Sequence, residues 1–419
     1  MRLTASSLLL IGLLTAPGIS LAAADQSPQR LLFTVTPPAP FPHAEQSFAE
    51  VRNLIRDRYY TNALSDEALY WAAVKGMLRL VSPPGDPERA KLWAPRDYAN
   101  VEQTLRGVRL SVGVRSRYDP IEGSLTVTEI TPGSPAAGVL RRYDRIMRIN
   151  GERLAQRSAP DIEKMMRGRA GEKLKLTVVR DIRVEELEIE FAPFRALDVE
   201  RMLLPAKIGY VSVRHFALGV VKALRTAVTA LRDGGADALV IDLRGNSGGV
   251  FAQGLQAAEL FIAKGQPILH VQSRGGKIQR FISANTDPLR LPLAVLMDRK
   301  TASAAEIMAR ALQVDSGATL VGTRSFGKAA VEQTFPIDNG YRVKFIVGAL
   351  FGPRGRSWYP GGLQPDVPVA TTKAGLPSHV ATLGARQRLA RDPTIHAAWK
   401  LLTARRELGA PPAAATTVQ

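Results

Sequence analysis

Two serine-containing segments have residue types and spacing that suit nucleophilic catalysis. The first is Gly245-Asn-Ser-Gly-Gly249, which fits the Gly-x-Ser-x-Gly nucleophile elbow and follows an apolar, strand-like run. A nucleophile at Ser247 also needs a histidine later in the chain, and only His270, His379 and His396 follow it. His270 lies in a strand-like run and the other two lie near the C-terminus, so Ser247 is the weaker candidate.

The second segment is Thr301-Ala-Ser-Ala-Ala-Glu-Ile307, in which Ser303 begins a predicted helix directly after a predicted strand. Free backbone N–H groups and the positive end of the helix dipole favour negative charge on an attacked carbonyl there. Further along, Lys328 follows a glycine and has apolar neighbours. Removal of water by these neighbours would lower the pKa of its amine.

Four motifs in this order resemble the carboxyl-terminal processing proteases, also called tail-specific proteases: DLRGNSGG, TASAAEIMARALQ, VGTRSFGKAAVEQ and GGLQPD. The resemblance covers residues 44 to about 370. It implies that Ser303 is the nucleophile and Lys328 the general base, and it implies neither a cofactor nor a metal.

The resemblance also implies an oxyanion hole formed by the N–H of Ala304 and the turn at Gly248 and Gly249. A glutamine that orients the dyad is common in this family four residues after the lysine. Glu332 occupies that position here, and Gln333 follows it. The orienting residue is therefore expected to be Glu332 or Gln333. A carboxylate beside the lysine would favour the charged amine, so either Gln333 takes the orienting role through a local shift or Glu332 points away from the lysine.

Residues 107–191 contain short runs that alternate apolar and polar positions, as strands do. Within them, residues 131–154 (TPGSPAAGVLRRYDRIMRINGERL) resemble a PDZ domain, and Asn150-Gly151 predicts a tight hairpin. Such domains bind extended peptide tails by strand addition and capture the terminal carboxylate on backbone N–H groups. The resemblance places that capture at Leu110, Ser111, Val112, Gly113 and Val114.

The remaining pattern predicts the elements that position these motifs. From Ile208 onward, apolar strand-like runs such as Ala238–Asp242 alternate with amphipathic helices, which indicates an α/β core. Asp242 and Arg244 are interpreted as a structural pair. The predicted fold class is therefore α/β and β multidomain, with 1–24 as a signal peptide, 25–106 as a helical N-terminal region, 107–191 as an inserted PDZ-like β domain, 192–370 as an α/β serine protease core and 371–419 as a basic C-terminal helical segment with a disordered tail.

Composition excludes several kinds of site. The 419 residues contain no cysteine, which rules out disulfides, thiolate zinc sites and cysteine nucleophiles. The formal net charge is +18, but the basic residues are spread along the chain and no nucleic-acid-binding motif accompanies them. We therefore expect no nucleic acid as a partner.

The first residues resemble a secretory signal peptide. Arg2 precedes the apolar run Leu8–Leu14, and small residues follow at Ala22–Ala24. The run is too short to span a bilayer and no later run is long enough, so we expect no transmembrane anchor. Secretion across the inner membrane follows, and the periplasm is the expected location if the source is a Gram-negative bacterium.

The sequence therefore predicts a secreted serine endopeptidase that acts on polypeptides with free C-termini. One alternative is a non-catalytic PDZ adaptor or scaffold with a degraded protease domain, for which Glu332 is the best support. A second is an α/β-hydrolase esterase that uses Ser247. The pattern leaves open an adaptor protein that delivers the substrate and a homo-oligomer formed through helices at 44–80 and 381–408.

Overall fold

The structure is a computed structural model that describes residues 39–61, 64–83, 85–370 and 384–408. The predicted signal peptide at 1–24 and His379 lie outside these residues. Among the helices in the described part of the chain, none has the length and apolar character needed to span a bilayer. Among the described residues, those up to Tyr59 form one unit and those from Tyr60 onward form another.

Within its described residues, the first unit consists mainly of helix α1 (Ala44–Arg58). The second unit begins with helix α2, strand β1 and helix α3, which span Asp66–Leu80, Lys91–Trp93 and Pro95–Leu105. Ser65 caps α2, since its Oγ accepts the N–H of Ala68 at 3.2 Å.

The PDZ-like domain is a small antiparallel β structure. Its elements are β2 (Val108–Ser111), β3 (Val114–Asp119), β4 (Ser124–Ile130), β5 (Arg145–Ile149), β6 (Glu152–Arg153), α4 (Ala159–Met165), β7 (Lys173–Arg180), β8 (Arg183–Glu190) and β9 (Ala192–Arg195). The sheet order is β3-β4-β5-β7-β8, with β6 paired to β5, while β2 pairs with β9 in a separate ribbon. Asn150 and Gly151 have φ values of 50° and 82°, which confirms the predicted tight turn between β5 and β6.

The α/β core contains the remaining strands and three longer helices. They are β10 (Val199–Leu204), β11 (Ile208–Val213), α5 (Val220–Asp233), β12 (Ala238–Asp242), α6 (Phe251–Glu259), β13 (Pro267–Ser273), β14 (Ile278–Ile282), β15 (Leu293–Met297), α7 (Ala304–Asp315), β16 (Thr319–Gly322), β17 (Ala330–Pro336), β18 (Arg342–Phe351) and β19 (Val367–Pro368). The main sheet has the order β10-β11-β12-β15-β16-β19, and all its pairs are parallel except β10 with β11.

Strands β11, β12, β15 and β16 of the main sheet are buried at every position, which explains why they are largely apolar runs. Side chains alternate along each strand, so Ile241 packs in the cluster with α5, α6 and α7, while Val240 packs in the cluster on the opposite face. Two C-terminal helices, α8 (Ala385–Arg391) and α9 (Pro393–Glu407), follow the core, and α9 buries Ile395, Ala398 and Leu402 in this second cluster.

A second sheet belongs to the same core and has the order β1-β18-β13-β14, with β17 also paired to β18. Strand β1 precedes the PDZ-like domain in sequence, yet it pairs with β18, which lies after it. The β17–β18 hairpin carries the residues that follow Lys328, so this sheet determines where they point.

Candidate active site

Ser303 lies where strand β15 passes into helix α7. Its φ and ψ are 57° and −119°, a conformation that a residue with a side chain rarely adopts. The strain is held by the preceding turn, in which Thr301 is fully buried and donates its hydroxyl to Leu243 O at 2.9 Å. In addition, Ala302 donates its N–H to Asn246 O at 3.0 Å. The loop after β12 therefore holds the serine at the helix N-terminus.

Of the three predicted oxyanion residues, Ala304 and Gly249 have backbone N–H groups with no partner among the described contacts. Gly248 differs, because its N–H donates to Asn246 Oδ1 at 2.9 Å. A Cβ at Gly248 would lie 2.9 Å from both Ala302 O and Ser303 Cβ, so this glycine lies directly against the serine. The predicted oxyanion residues are thus adjacent, and Ala304 and Gly249 are the two that present unpaired donors.

Glu306, on the first turn of α7, connects the serine to the lysine loop. Its Oε2 accepts the backbone N–H groups of Ser303 and Lys328, both at 2.8 Å. Its Oε1 accepts the Ser325 hydroxyl at 2.5 Å and the Gly327 N–H at 2.7 Å. The side chain is fully buried, and burial raises the pKa of the carboxyl group although these donors oppose the rise. The sequence analysis did not predict this role of Glu306. The only local signal for it was the capping-box spacing, with a glutamate three residues after Ser303.

Lys328 lies in the loop just before β17, with a side chain that is 21% exposed. Burial lowers the pKa of its amine, although Glu332, whose Oε1 lies 3.0 Å from Nζ, opposes the change. Among the described contacts, no hydrogen bond joins Lys328 Nζ to Ser303 Oγ. Neighbouring residues of a strand point to opposite faces, and Gln333 is exposed, so Glu332 is the member of the predicted pair that contacts the lysine.

Ser247 is exposed and makes none of the described side-chain hydrogen bonds. The histidines that would complete a triad are engaged elsewhere: His270 lies on β13 and His396 lies on α9, with its ring centroid 5.9 Å from that of Trp399. Ser247 therefore has no catalytic partner among the described histidines that follow it.

Asp242 and Arg244 form the structural pair that was predicted. Arg244 Nη2 lies 2.6 Å from Asp242 Oδ2 and 2.8 Å from Asp392 Oδ2, and Asp392 is the N-cap of α9. Tyr210 donates its hydroxyl to Asp242 at 2.7 Å. Burial opposes ionisation of Asp242, but Arg244 and Tyr210 hold its pKa below the ordinary value. The pair therefore fastens the C-terminal helices to the core.

His215, which no sequence pattern indicated, lies next to the turn predicted to form the oxyanion hole. It precedes Phe216, whose N–H and C=O bond to the backbones of Gly248 and Val250. Burial lowers the pKa of its imidazole to about 4, with a smaller contribution from Arg109, so the ring is neutral near pH 7. Its Nε2 is buried and has no hydrogen-bond partner in the part of the chain that is described.

The residues predicted to bind a peptide tail lie where β2 passes into β3. Leu110 and Ser111 belong to β2, whose backbone pairs with β9, and Val114 begins β3. Val112 is 2% exposed and its side chain lies in the core of the PDZ-like domain, so only its backbone is available to a ligand. Gly113 has φ 79°, and a Cβ there would lie 2.1 Å from Ser134 Cβ.

Strand β3 is at the edge of the PDZ-like sheet, and its outer side has no partner strand among the described residues. In the loop before this strand, the N–H of Gly113 donates to Ser111 Oγ at 3.1 Å. An unpaired strand edge is what strand addition of a peptide requires.

Comparisons with known families agree with this architecture. The model of peptidase family S41 matches residues 207–369, and the model of the PDZ domain matches residues 108–191. Among solved structures, the photosystem II D1 C-terminal processing protease has a TM-score of 0.51 at 21% identity, covering 81% of this chain and 97% of its own. A putative S41 protease from Bacteroides fragilis has a TM-score of 0.54 at 18% identity, covering 80% and 92%. At these identities the two structures support the fold alone.

Relatives known by sequence establish the family. The carboxy-terminal processing protease CtpA of Bacillus subtilis is 30% identical over 332 residues, which cover 78% of this chain and 68% of that protein. The carboxyl-terminal-processing protease of Synechocystis is 29% identical over 324 residues, covering 75% and 74%. With its PDZ domain and its α/β protease core, this chain belongs to the carboxyl-terminal processing serine proteases of peptidase family S41.

Proposed function

We propose that this protease is exported and cuts polypeptides whose C-terminal tails it captures on its PDZ domain, using Ser303 as the nucleophile and Lys328 as the general base. The observation that carries the proposal is the Glu306 carboxylate, which holds the backbones of both residues in one buried cluster. Burial of the lysine supplies the lowered pKa that a neutral base needs.

In the first step, neutral Lys328 accepts the hydroxyl proton of Ser303 while Oγ bonds to the carbonyl carbon of the substrate. The carbonyl oxygen becomes an oxyanion, which accepts hydrogen bonds from the N–H groups of Ala304 and Gly249. Because both donors are unpaired and Ala304 is the first residue of α7, they are available as charge develops.

In the second step, Lys328 returns the proton to the leaving amine as the C–N bond breaks, which leaves an ester on Ser303. Lys328 then takes a proton from the water molecule that attacks this ester and passes it to Ser303 Oγ as the ester bond breaks, which regenerates the serine and the neutral lysine and releases the product with a new C-terminal carboxyl group. The ion pair between Lys328 and Glu332 must loosen before Nζ reaches Ser303 Oγ, since catalytic hydrogen bonds often close only with substrate bound.

Tail capture is proposed for the open edge of β3 and the loop before it. An extended C-terminus would add to β3 as a further strand, and its carboxylate would bind the backbone between Ser111 and Val114. Gly113 lets this loop curl closely, because its φ of 79° is unstrained only for glycine. We also propose that an adaptor protein delivers substrates and that the protease forms a homo-oligomer.

The test uses the chain from residue 25 onward and an unstructured protein substrate, with products identified by mass spectrometry. We expect Ser303→Ala and Lys328→Arg to abolish cleavage, because the first removes the nucleophile and the second replaces the base with a group that stays protonated. Amidation of the substrate C-terminus should slow cleavage, whereas acetylation of its N-terminus should not.

Three outcomes would contradict parts of the proposal. Cleavage by Ser303→Ala would exclude this serine as the nucleophile, and equal cleavage of amidated substrate would exclude tail capture. Tail peptides bound by an inactive wild-type protein would favour the non-catalytic adaptor, which the ion pair between Lys328 and Glu332 supports. Export is tested separately, by finding whether residues 1–24 are removed and the chain is recovered outside the cytoplasm.

A further inference from the structure

Glu332 is the centre of a cluster of charged side chains beside the lysine. Its Oε1 lies 2.9 Å from Arg89 Nε and 3.0 Å from Lys328 Nζ, and its Oε2 accepts a hydrogen bond from Lys344 Nζ at 2.8 Å. The Arg89 side chain is 9% exposed and that of Glu332 is 12% exposed. Three cations therefore surround one carboxylate in a site that solvent screens weakly.

The arginine reaches this site from the segment between α2 and β1, before the PDZ domain in sequence. Strand β1 pairs with β18, and the register places Lys91 opposite Lys344. Lys344 Nζ also lies 5.4 Å from the centre of the Trp93 ring. The short strand β1 thus fixes both the arginine and the second lysine against Glu332.

The balance of charge in this cluster bears directly on the base. A carboxylate paired with Lys328 alone would hold the proton on the amine. Here Glu332 is also paired with Arg89 and Lys344, and both of these cations repel a charged Lys328. When Lys328 gives up its proton, Glu332 keeps two partners and the repulsion among the three cations falls.

We propose that Arg89 and Lys344 are positioning residues that offset the charge of Glu332, so that Glu332 anchors Lys328 without preventing it from acting as the base. This inference rests on the proposed Ser303 and Lys328 mechanism and assigns a catalytic purpose to the segment before the PDZ domain. Because Arg89 and Lys344 offset its charge, Glu332 orients Lys328 as a neutral side chain would.

The direction of the pKa of Lys328 agrees with this arrangement. Burial lowers it most, Glu332 opposes the change, and Arg89 and Lys344 lower it further. Other charged groups on the neighbouring elements are the Glu306 carboxylate, which accepts the Lys328 backbone N–H, and Asp86, which lies 3.3 Å from Arg89 Nη1. Lys91 of β1 is a further cation and lies opposite Lys344 in the strand register.

The test measures kcat/KM against pH for the chain from residue 25 onward. Since the base must be neutral, activity should rise with pH through the pKa of Lys328. We expect Arg89→Gln to move the midpoint of this rise upward by about one pH unit and Glu332→Gln to move it downward. The double variant should return close to the wild-type midpoint, and Arg89→Lys, which keeps the charge, should also lie near it.

A matched control is Arg79→Gln, which removes one exposed positive charge from α2 and should leave the midpoint in place. If Arg89→Gln lowers kcat equally at every pH without moving the midpoint, the arginine is merely structural and the proposal is overturned. The proposal also fails if Arg89→Lys behaves like Arg89→Gln.

A second readout does not depend on activity. In the Ser303→Ala background, acetylation of Lys328 can be followed by mass spectrometry across pH, and its midpoint should rise when Arg89→Gln is added. An unchanged labelling midpoint would overturn the charge-compensation proposal. Cleavage that persists in Ser303→Ala would instead sink the proposed mechanism, so the two failures are distinguishable.

Discussion

Ser303 and Lys328 donate their backbone N–H groups to the same oxygen atom, Oε2 of Glu306, each at 2.8 Å. The two residues belong to different elements, one at the start of a helix and the other in the loop before a strand. A buried carboxylate with two charge-assisted hydrogen bonds to them fixes the separation of their backbones. In the proposed mechanism, the ion pair between Lys328 and Glu332 loosens and the two side chains move until the hydroxyl and the amine meet.

The first prediction concerns this carboxylate. Glu306→Gln keeps the shape of the side chain but turns one NH₂ group toward donors, so at least one buried N–H loses its acceptor. We expect the free energy of unfolding to fall by about 2 kcal/mol and kcat to fall about 100-fold, because misplacement of catalytic groups by about 1 Å can have that effect. Urea unfolding and steady-state kinetics measure both.

Glu259→Gln is the matched control for that substitution. Glu259 also accepts a backbone N–H, from Ala284 at 2.7 Å, but this residue of α6 is only partly buried. The Glu259→Gln substitution should leave kcat nearly unchanged. Equal losses of activity in the two variants would show that Glu306 has no special role.

The second prediction tests whether Gly249 acts as an oxyanion donor, as distinct from the strain that any side chain causes at a positive φ. A Cβ at Gly249, where φ is 141°, would lie 2.5 Å from Phe216 O, so Gly249→Ala must displace a proposed oxyanion donor. We expect kcat to fall about 100-fold or more, with a smaller change in KM. Gly265→Ala is the control, because φ there is 87° but nothing lies within 4 Å of the added carbon. A Gly249→Ala enzyme with wild-type kcat would exclude this donor.

The third prediction concerns the attachment of the C-terminal helices. Arg244→Met leaves the carboxylates of Asp242 and Asp392 buried without their cation, which should lower the free energy of unfolding by about 3–5 kcal/mol. In Arg232→Met, only an exposed pair with Asp233 is lost, and we expect a change below about 1 kcal/mol. Urea unfolding at pH 7 measures the difference, and similar small losses in both variants would contradict a structural role for the buried pair.

The fourth prediction is a pH dependence of stability. The pKa of His215 is about 4 in the folded chain against 6.5 for an ordinary histidine, so the unfolded chain binds this proton first as pH falls. The contribution is fully present above a pH of about 6.5 and is lost toward a pH of about 4, by at most about 3 kcal/mol. His215→Gln should remove this part of the slope, whereas His396→Gln, at an exposed position on α9, should not. An unchanged slope in His215→Gln would assign the loss to other groups.

The elements of the main sheet could be predicted from the sequence because their pattern is local. Strands β11, β12 and β15 have the bounds of their apolar runs, since a strand buried on both faces needs apolar side chains at successive positions. Strand β1 was not predicted, because three residues carry too little pattern and its partner, β18, lies far away in sequence.

In the candidate site, too, some features follow from a local sequence pattern and others depend on contacts that only the fold creates. The position of Ser303 at a helix start followed from a short motif, whereas the choice between Glu332 and Gln333 needed the register of β17 against β18. Glu306 was visible as a residue, but its partners come from a loop that only the fold brings to it. Arg89 could not be linked to Glu332 by any local pattern, since the pairing of β1 creates that contact.

The ribbon of β2 and β9 gives the PDZ domain a modular character. The chain enters and leaves the domain through neighbouring antiparallel strands, with Val108 opposite Arg195. An insertion whose two ends lie side by side can be exchanged for another domain with closely spaced ends without lengthening either connection. A different recognition domain could therefore replace the PDZ domain at this position in the protease core. It would deliver other polypeptides to the same active site.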